Sequence, residues 1–371
     1  MKTKKPKWVP KDADGEFTTK VMDGVVKDHD GRVKHRVKRH IVKRRKEMTI
    51  DEYYQGIISG NRMVIARAIT LIESNAMRHF ELAQSLLQKL LPHTGGATRV
   101  GISGVPGAGK STLIEALGLH LCSLGLKVAV LAVDPSSSIT GGSILGDKTR
   151  MEQLSRCENA FIRPSPSGGM LGGVTRKSKE TVLLCEAAGY DVILVETVGV
   201  GQNEVTVRSM VDFFLLVLIT GGGDDLQGMK KGVMEICDAI AVNKSDGDNI
   251  IRARAAQGEF RAIIEYLRPA TEGWKSQVLT CSALYNEGIS EIWDMIESFV
   301  YITKKNGVFY SRREAQTLEW VFNIVINQLT TRFYNHDGVK RMIPKLKHSL
   351  SEGEVSATKA AVMLLDVFDH Q

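Results

Sequence analysis

Residues 99 to 112 run Arg99-Val100-Gly101-Ile102-Ser103-Gly104-Val105-Pro106-Gly107-Ala108-Gly109-Lys110-Ser111-Thr112. Val100 to Ser103 predicts a strand and the stretch from Lys110 a helix. Between them Gly104 to Ser111 matches G-x-x-x-x-G-K-[ST], in the strand, loop and helix setting where that pattern cradles phosphates. Gly104, Gly107 and Gly109, with Ala108 between the last two, permit a path whose N–H groups converge on phosphate oxygens. The helix N-terminus adds partial positive charge. Lys110 supplies a full charge to β- and γ-phosphates, Ser111 presents a hydroxyl to Mg²⁺, and Thr112 continues the first turn.

Outward from this loop, short apolar runs alternate with helix-length segments: Val128 to Val133, Val192 to Val195, Phe213 to Ile219, Ala239 to Val242 and Val278 to Cys281. Continuous β-branched runs mark strands buried on both faces, hence a parallel sheet covered by helices. The expected fold class is doubly wound α/β with a mostly parallel sheet and helical extensions at both ends. The expected divisions are a basic tail at 1–48, a helical extension at 49–97, the nucleotide domain at 98–305 and a helical region at 306–371. Thr49 or Asp51 can cap a helical pattern that breaks at Ser59-Gly60-Asn61 and runs to about Leu91.

Asn243-Lys244-Ser245-Asp246 follows the Ala239 to Val242 run, at the ligand-bearing edge of such a sheet. The Asp246 carboxylate can accept from N1–H and the 2-amino group of guanine, a pair that adenine lacks, so it selects the base. Ser282-Ala283, after the next strand, fits a backbone contact to guanine O6. Asp134 closes the Val128 run and Glu196 closes the Val192 run; carboxylates there read as magnesium ligands, directly or through water. Glu196 heads an E-x-x-G where most such proteins have D-x-x-G, and its longer reach fits water-mediated contact. Gln202 lies three residues after Gly199, whose immediate neighbour is Val200. No built-in water-orienting glutamine is therefore expected, and intrinsic turnover should be slow until a partner orders the loops.

The chain has 371 residues and a formal charge of +7. Residues 1–50 hold 16 Lys and Arg against 7 Asp and Glu, so the rest of the chain is close to neutral. A run from Arg32 to Lys46 carries nine cations and no acid, which reads as a solvated tail, with docking to an acidic partner or nucleic acid as the alternative. The longest apolar runs fall well short of the roughly 20 residues of a membrane-spanning helix. A soluble protein is expected. The first thirty residues lack the apolar core of about 7 to 15 residues that marks a secretory signal, and Asp12, Asp14 and Glu16 argue against an acid-poor mitochondrial presequence. Cytoplasm is the expected compartment, or the mitochondrial matrix in a eukaryote. Cys122, Cys157, Cys185, Cys237 and Cys281 are odd in number and never C-x-x-C, which favours a reducing compartment without structural metal. His29, His35 and His40 are too sparse for the His-rich stretch of a nickel-inserting GTPase. In the tail, Leu318, Val321, Phe322, Val325, Leu329 and Phe333 form one helical stripe, widened by Trp320, Ile324 and Ile326. Packing on the nucleotide domain and pairing with a second subunit both account for it.

Several further stretches carry a resemblance: Asp134-Pro135-Ser136-Ser137, Gly142 to Met151, Arg163-Pro164-Ser165-Pro166, Glu196 to Gln202, and Gly222 to Gly228. With these the chain resembles the MeaB/ArgK-type P-loop GTPases, bacterial chaperones of methylmalonyl-CoA mutase with a mitochondrial counterpart, MMAA, in animals. The resemblance runs from about Thr49 to the end. It implies Mg-dependent hydrolysis of GTP to GDP and binding to the adenosylcobalamin-dependent mutase. It further implies gating of cobalamin delivery from the adenosyltransferase, protection or reactivation of the mutase, and homodimerisation through the C-terminal region. Cobalamin itself is not expected to bind directly. Asp134 and Asp147 resemble the magnesium-associated acids of the first switch and Glu196 that of the second. Thr220 to Lys231 resembles a third switch, in which Asp224, Gln227 and Lys230 sense the partner and influence hydrolysis. Lys230 is the candidate for a charge moved into place, and Asp225 stands where relatives usually carry Glu. A transport-linked kinase, the label given to some ArgK-type relatives, is the rival reading, as is service to another cobalamin mutase.

Overall fold

The computed structural model describes residues 48–74, 76–133, 151–163, 171–197, 203–221 and 231–369. The expected basic tail lies outside them, apart from Met48. Seven strands among these residues form one parallel sheet: β1 (Thr98–Gly104), β2 (Val128–Val133), β3 (Ala160–Arg163), β4 (Val192–Thr197), β5 (Phe213–Leu218), β6 (Ala239–Val242) and β7 (Gln277–Thr280). Their spatial order is β3-β2-β4-β1-β5-β6-β7. The chain leaves β1 for one side of the sheet, returns to β4 beside it, and then builds outward on the other side. That turning point puts a crevice at the C-terminal end of β1, where ligands bind in open α/β sheets.

Every residue of β2, β4 and β5 is buried, because helices cover both faces. On β5, Phe214, Leu216 and Leu218 join an apolar layer with Ile65, Leu86 and Phe260. Phe213, Leu215 and Val217 join the opposite layer with Leu113, Ile292 and Phe299. The pleat sends successive side chains to opposite faces. No apolar run of the sequence marks β3. The strand is a four-residue, half-buried edge, too short to stand out.

Three helices precede the sheet: α1 (Ile50–Ile58), α2 (Arg62–Glu73) and α3 (Met77–Leu90). Thr49 starts α1 with a reciprocal capping box: the Glu52 N–H donates to Thr49 Oγ1 at 3.2 Å, and the Thr49 N–H to Glu52 Oε2 at 2.7 Å. Gly60 turns the chain at φ 72°, and Asn61 caps α2, as expected for that break. A second break separates α2 from α3, where no glycine or proline announces it. The sheet's own helices are α4 (Lys110–Ser123), α5 (Glu152–Arg156), α6 (Leu171–Ala187), α7 (Asn203–Arg208), α8 (Lys231–Glu235), α9 (Ile250–Tyr266) and α10 (Ile289–Lys305).

Beyond Gly307, α11 (Val308–Asn335), α12 (Asp337–Ser351) and α13 (Ala357–Asp369) complete the chain. The first turns of α11 are bolted to the N-terminal edge of the sheet, opposite the crevice. The Arg313 guanidinium donates to both oxygens of Asp212 at 2.7 Å and to the carbonyls of Gly95 and Ala97. Arg208 forms a second fork on Asp238 at 2.8 and 3.2 Å, and Arg99 a third on Glu186 at 2.8 and 2.9 Å. All three carboxylates are buried. Gln316 donates to the carbonyls of Arg208 and Val211. Past this clamp the nucleotide domain does not bury the apolar stripe: Leu318, Val321, Phe322, Val325, Ile326 and Leu329 are 46–64% exposed. No helix among the described residues is long and apolar enough to cross a membrane.

Candidate nucleotide site

The loop from Gly104 to Gly109 connects β1 to α4 at the crevice. Gly104 has φ 153°, and a Cβ there would overlap the Val217 carbonyl oxygen of neighbouring β5, so only glycine allows the two strands to pair where the loop leaves. Gly109 has φ 83°, and its Cβ would stand 2.6 Å from Asn243 Nδ2. Gly109 is the N-cap of α4, and no side chain caps the helix. Its first N–H groups are thus left without a side-chain acceptor at the end of the loop, an arrangement that suits an anion. The Lys110 ammonium donates to the carbonyls of Gly104 at 2.8 Å and Val105 at 3.2 Å. Those bonds fold a full positive charge back over the loop.

The next helical residue links loop to sheet. Ser111 Oγ donates to Glu196 Oε1 at 2.9 Å, and Glu196, 5% exposed, pairs with Ile102 of β1 and Ala132 of β2 across the sheet. Thr197 Oγ1 donates to Ser103 Oγ at 2.9 Å, so strands β4 and β1 are also joined by side chains. A hydroxyl and a carboxylate side by side at the end of a phosphate loop are hard oxygen donors of the kind Mg²⁺ takes, and the donor set fits that ion. Asp134 and Asp147, the other expected ligands, lie outside the described residues. So do Asp224, Gln227, Lys230 and Gln202.

On the base side, Asn243 is 2% exposed and follows β6. Its Nδ2 donates to the Ala108 carbonyl at 2.8 Å, and its Oδ1 accepts from the Ala283 N–H at 3.0 Å. One side chain thus staples the phosphate loop to the loop after β7. The Cys281 thiol lies 3.6 Å from Asn243 Oδ1, and burial pushes its pKa up to about 12, so it stays a neutral donor. Lys244 is one of two non-glycine residues with positive φ among those described, at 60°. Asp246 accepts from Ser282 Oγ at 2.6 Å, which aims the carboxylate. Ser282 and Ala283, expected to offer a backbone contact to the base, also position Asp246 and Asn243. No pattern in the sequence ties Asn249 and Thr220 to this loop system: Asn249 Nδ2 donates to the Lys244 carbonyl and Thr220 Oγ1 to Asn249 Oδ1, each at 2.7 Å. Asn249 belongs to no recognised motif and Thr220 stands only as the start of the expected third switch, so their meeting is visible only in space.

A parallel sheet with an amide-ringed loop on its central strand and an Asn-Lys-Ser-Asp turn two strands away defines a P-loop GTPase. Comparison with known proteins places the chain within that class. The family model for methylmalonyl Co-A mutase-associated GTPase MeaB matches residues 65–337, and the chain belongs to that family. It is 50% identical over 321 residues to a putative GTPase of Caulobacter vibrioides, covering 86% of this chain and 98% of the relative. It is 42% identical over 366 residues to the mitochondrial methylmalonic aciduria type A homolog of Mus musculus, covering 96% and 86%. A crystal structure of a LAO/AO transport system kinase superposes with a TM-score of 0.72 at 37% identity, over 88% of this chain and 99% of that one. The chain is a GTPase.

Proposed function

We propose that this GTPase is a chaperone of an adenosylcobalamin-dependent methylmalonyl-CoA mutase, gating cobalamin loading and protecting or reactivating the mutase. The observation that carries the reading is the likeness to the mouse methylmalonic aciduria protein, which extends over 96% of the chain and so takes in the helices outside the nucleotide domain. Gly104, Gly107, Ala108, Gly109, Lys110, Ser111 and Thr112 hold the phosphates; Asn243, Lys244, Asp246, Ser282 and Ala283 form the base pocket. Ser111 and Glu196, with Asp134 and Asp147, hold Mg²⁺, which when bound neutralises charge developing on the phosphates. Lys110 and the loop amides stabilise the transferring phosphoryl group, and water attacks without a covalent intermediate. Asp224, Gln227 and Lys230 respond to the partner and complete the site.

The exposed apolar face of α11 is assigned to a second copy of the chain, and the cobalamin adenosyltransferase to the delivery step. The compartment follows the mutase: cytoplasm in a bacterium, matrix in a eukaryote. GTP turnover by the purified protein, alone and with methylmalonyl-CoA mutase from the same source, tests the reading. Acceleration by the mutase supports it. A mutase that neither binds nor changes the rate removes the partner assignment and leaves the GTPase. The name of the LAO/AO structure favours a second reading, a transport-linked kinase. Transfer of labelled γ-phosphate from GTP or ATP to a protein acceptor, rather than to water, would establish that one instead.

A further inference from the structure

We propose that Asn249 is a positioning residue that fastens the base-recognition turn to the end of β5, so that seating of guanine on Asp246 and the placement of Thr220 and Gly221 are linked. The inference rests on guanine-nucleotide binding and not on the choice of partner. Asn249 is the N-cap residue of α9, a position where an asparagine side chain ordinarily turns back onto its own helix's first N–H groups. Here it makes no such bond. Its amide is spent outward instead, on the Lys244 carbonyl at one end and the Thr220 hydroxyl at the other, both at 2.7 Å.

The chemistry requires an amide. The Lys244 carbonyl can only accept, so Nδ2 must face it, which leaves Oδ1 for the Thr220 hydroxyl to donate to. Aspartate keeps the second contact and turns the first into repulsion between two oxygens. The first contact matters because Lys244 has φ 60°, a conformation that costs a non-glycine residue energy unless its surroundings hold it. The turn that carries Asp246 is held by four hydrogen bonds: Asn249 Nδ2 on the Lys244 carbonyl, the Asn249 N–H on the Asp246 carbonyl at 3.0 Å, the Ser245 N–H on the Cys281 carbonyl at 3.0 Å, and Ser282 Oγ on Asp246. The contacts from Ser245 and Ser282 reach the end of β7, whereas the Asn249 side chain continues through Thr220 to the end of β5. Thr220 follows β5, whose Val217 pairs with Gly104 of the phosphate loop, so the bridge joins the base pocket to the phosphate side by a route separate from the Asn243 staple.

The test uses the full-length chain and GDP carrying a fluorescent ribose label. Asn249→Asp is expected to raise the GDP dissociation constant and the KM for GTP by about tenfold, the scale of one or two lost hydrogen bonds, with kcat within about twofold. Thr220→Val keeps the contact to Lys244. It is expected to bind GDP no more than about threefold more weakly, yet to lose the GDP-dependent slowing of amide hydrogen exchange at Thr220 and Gly221 expected of the wild type, and a wild type that binds GDP without such slowing would also overturn the inference. Asn249→Asp binding GDP within twofold of wild type would overturn the inference, as would undiminished slowing in Thr220→Val. If Asn249→Asp does not fold, the Thr220→Val result decides alone. A wild-type chain that bound no GDP would instead overturn the nucleotide reading beneath it.

Discussion

Single residues in the loop differ in what they tolerate, and the geometry ranks them. At Gly104 an added methyl meets a backbone oxygen that cannot move without unpairing β1 from β5, whereas at Gly107, φ 78°, it meets nothing within 4 Å. Gly104→Ala is therefore expected to cost about 3 kcal/mol of stability and nucleotide binding with it. Gly107→Ala costs only the left-handed backbone, about 1–2 kcal/mol. Thermal melts of the two variants, with and without GDP, check the order. At the base pocket, Asp246→Ala removes two acceptors from guanine and is expected to weaken GTP binding by about 1–3 kcal/mol per contact while leaving ATP binding little changed. Competition between the two nucleotides reads this out directly. These residues were legible beforehand because a loop that wraps phosphate and a turn that reads guanine both demand particular residues at fixed spacing. Asn249 was not legible, because an asparagine at a helix start has an ordinary local use, and the one it has here depends on a strand end 29 residues away.

Among the elements, α11 is two things along one helix. Its first turns are held by Arg312, Arg313 and Gln316 on the sheet edge, and its later turns carry apolar side chains in the open. Breaking a buried ion pair by deleting one partner leaves an uncompensated charge, so Arg313→Ala is expected to lower stability by about 3–5 kcal/mol, measured by urea denaturation. Arg312 is held less favourably: burial and the neighbouring Arg208 lower its pKa to about 10. Farther along, Phe322 is 64% exposed, and under the proposed pairing of two copies the wild type is expected to sediment as a dimer and Phe322→Asp as a monomer, with the far-UV circular dichroism unchanged. The apolar period of this helix was plain in the sequence. Which part of it the sheet would bury was not, since both parts share the same period and only the positions of Asp212 and Asp238 decide where the helix is bolted.

For the molecule as a whole, three fully enclosed thiols contribute to its response to alkali. Burial raises the pKa of Cys185, Cys237 and Cys281 from 9.0 to about 12. The unfolded chain then gives up these protons at lower pH than the folded one, so their contribution is intact below pH 9 and lost as pH rises toward 12. Each adds a slope approaching about 1.4 kcal/mol per pH unit in that window. Denaturation midpoints taken from pH 8 to 11 should fall, and more shallowly in Cys185→Ala than in the wild type. By itself the sequence determined the parallel α/β class, the phosphate loop and the choice of guanine, because each depends on local patterns: apolar runs, glycines at fixed intervals, and an acid one turn past a strand. Only the tertiary structure decided that β3 is a strand, that Ser111 meets Glu196, that Asn243 and Asn249 join separate loops, and that the outer half of α11 is left uncovered. Those are meetings between residues far apart in the chain, and what brings them together is the order in which the strands pack.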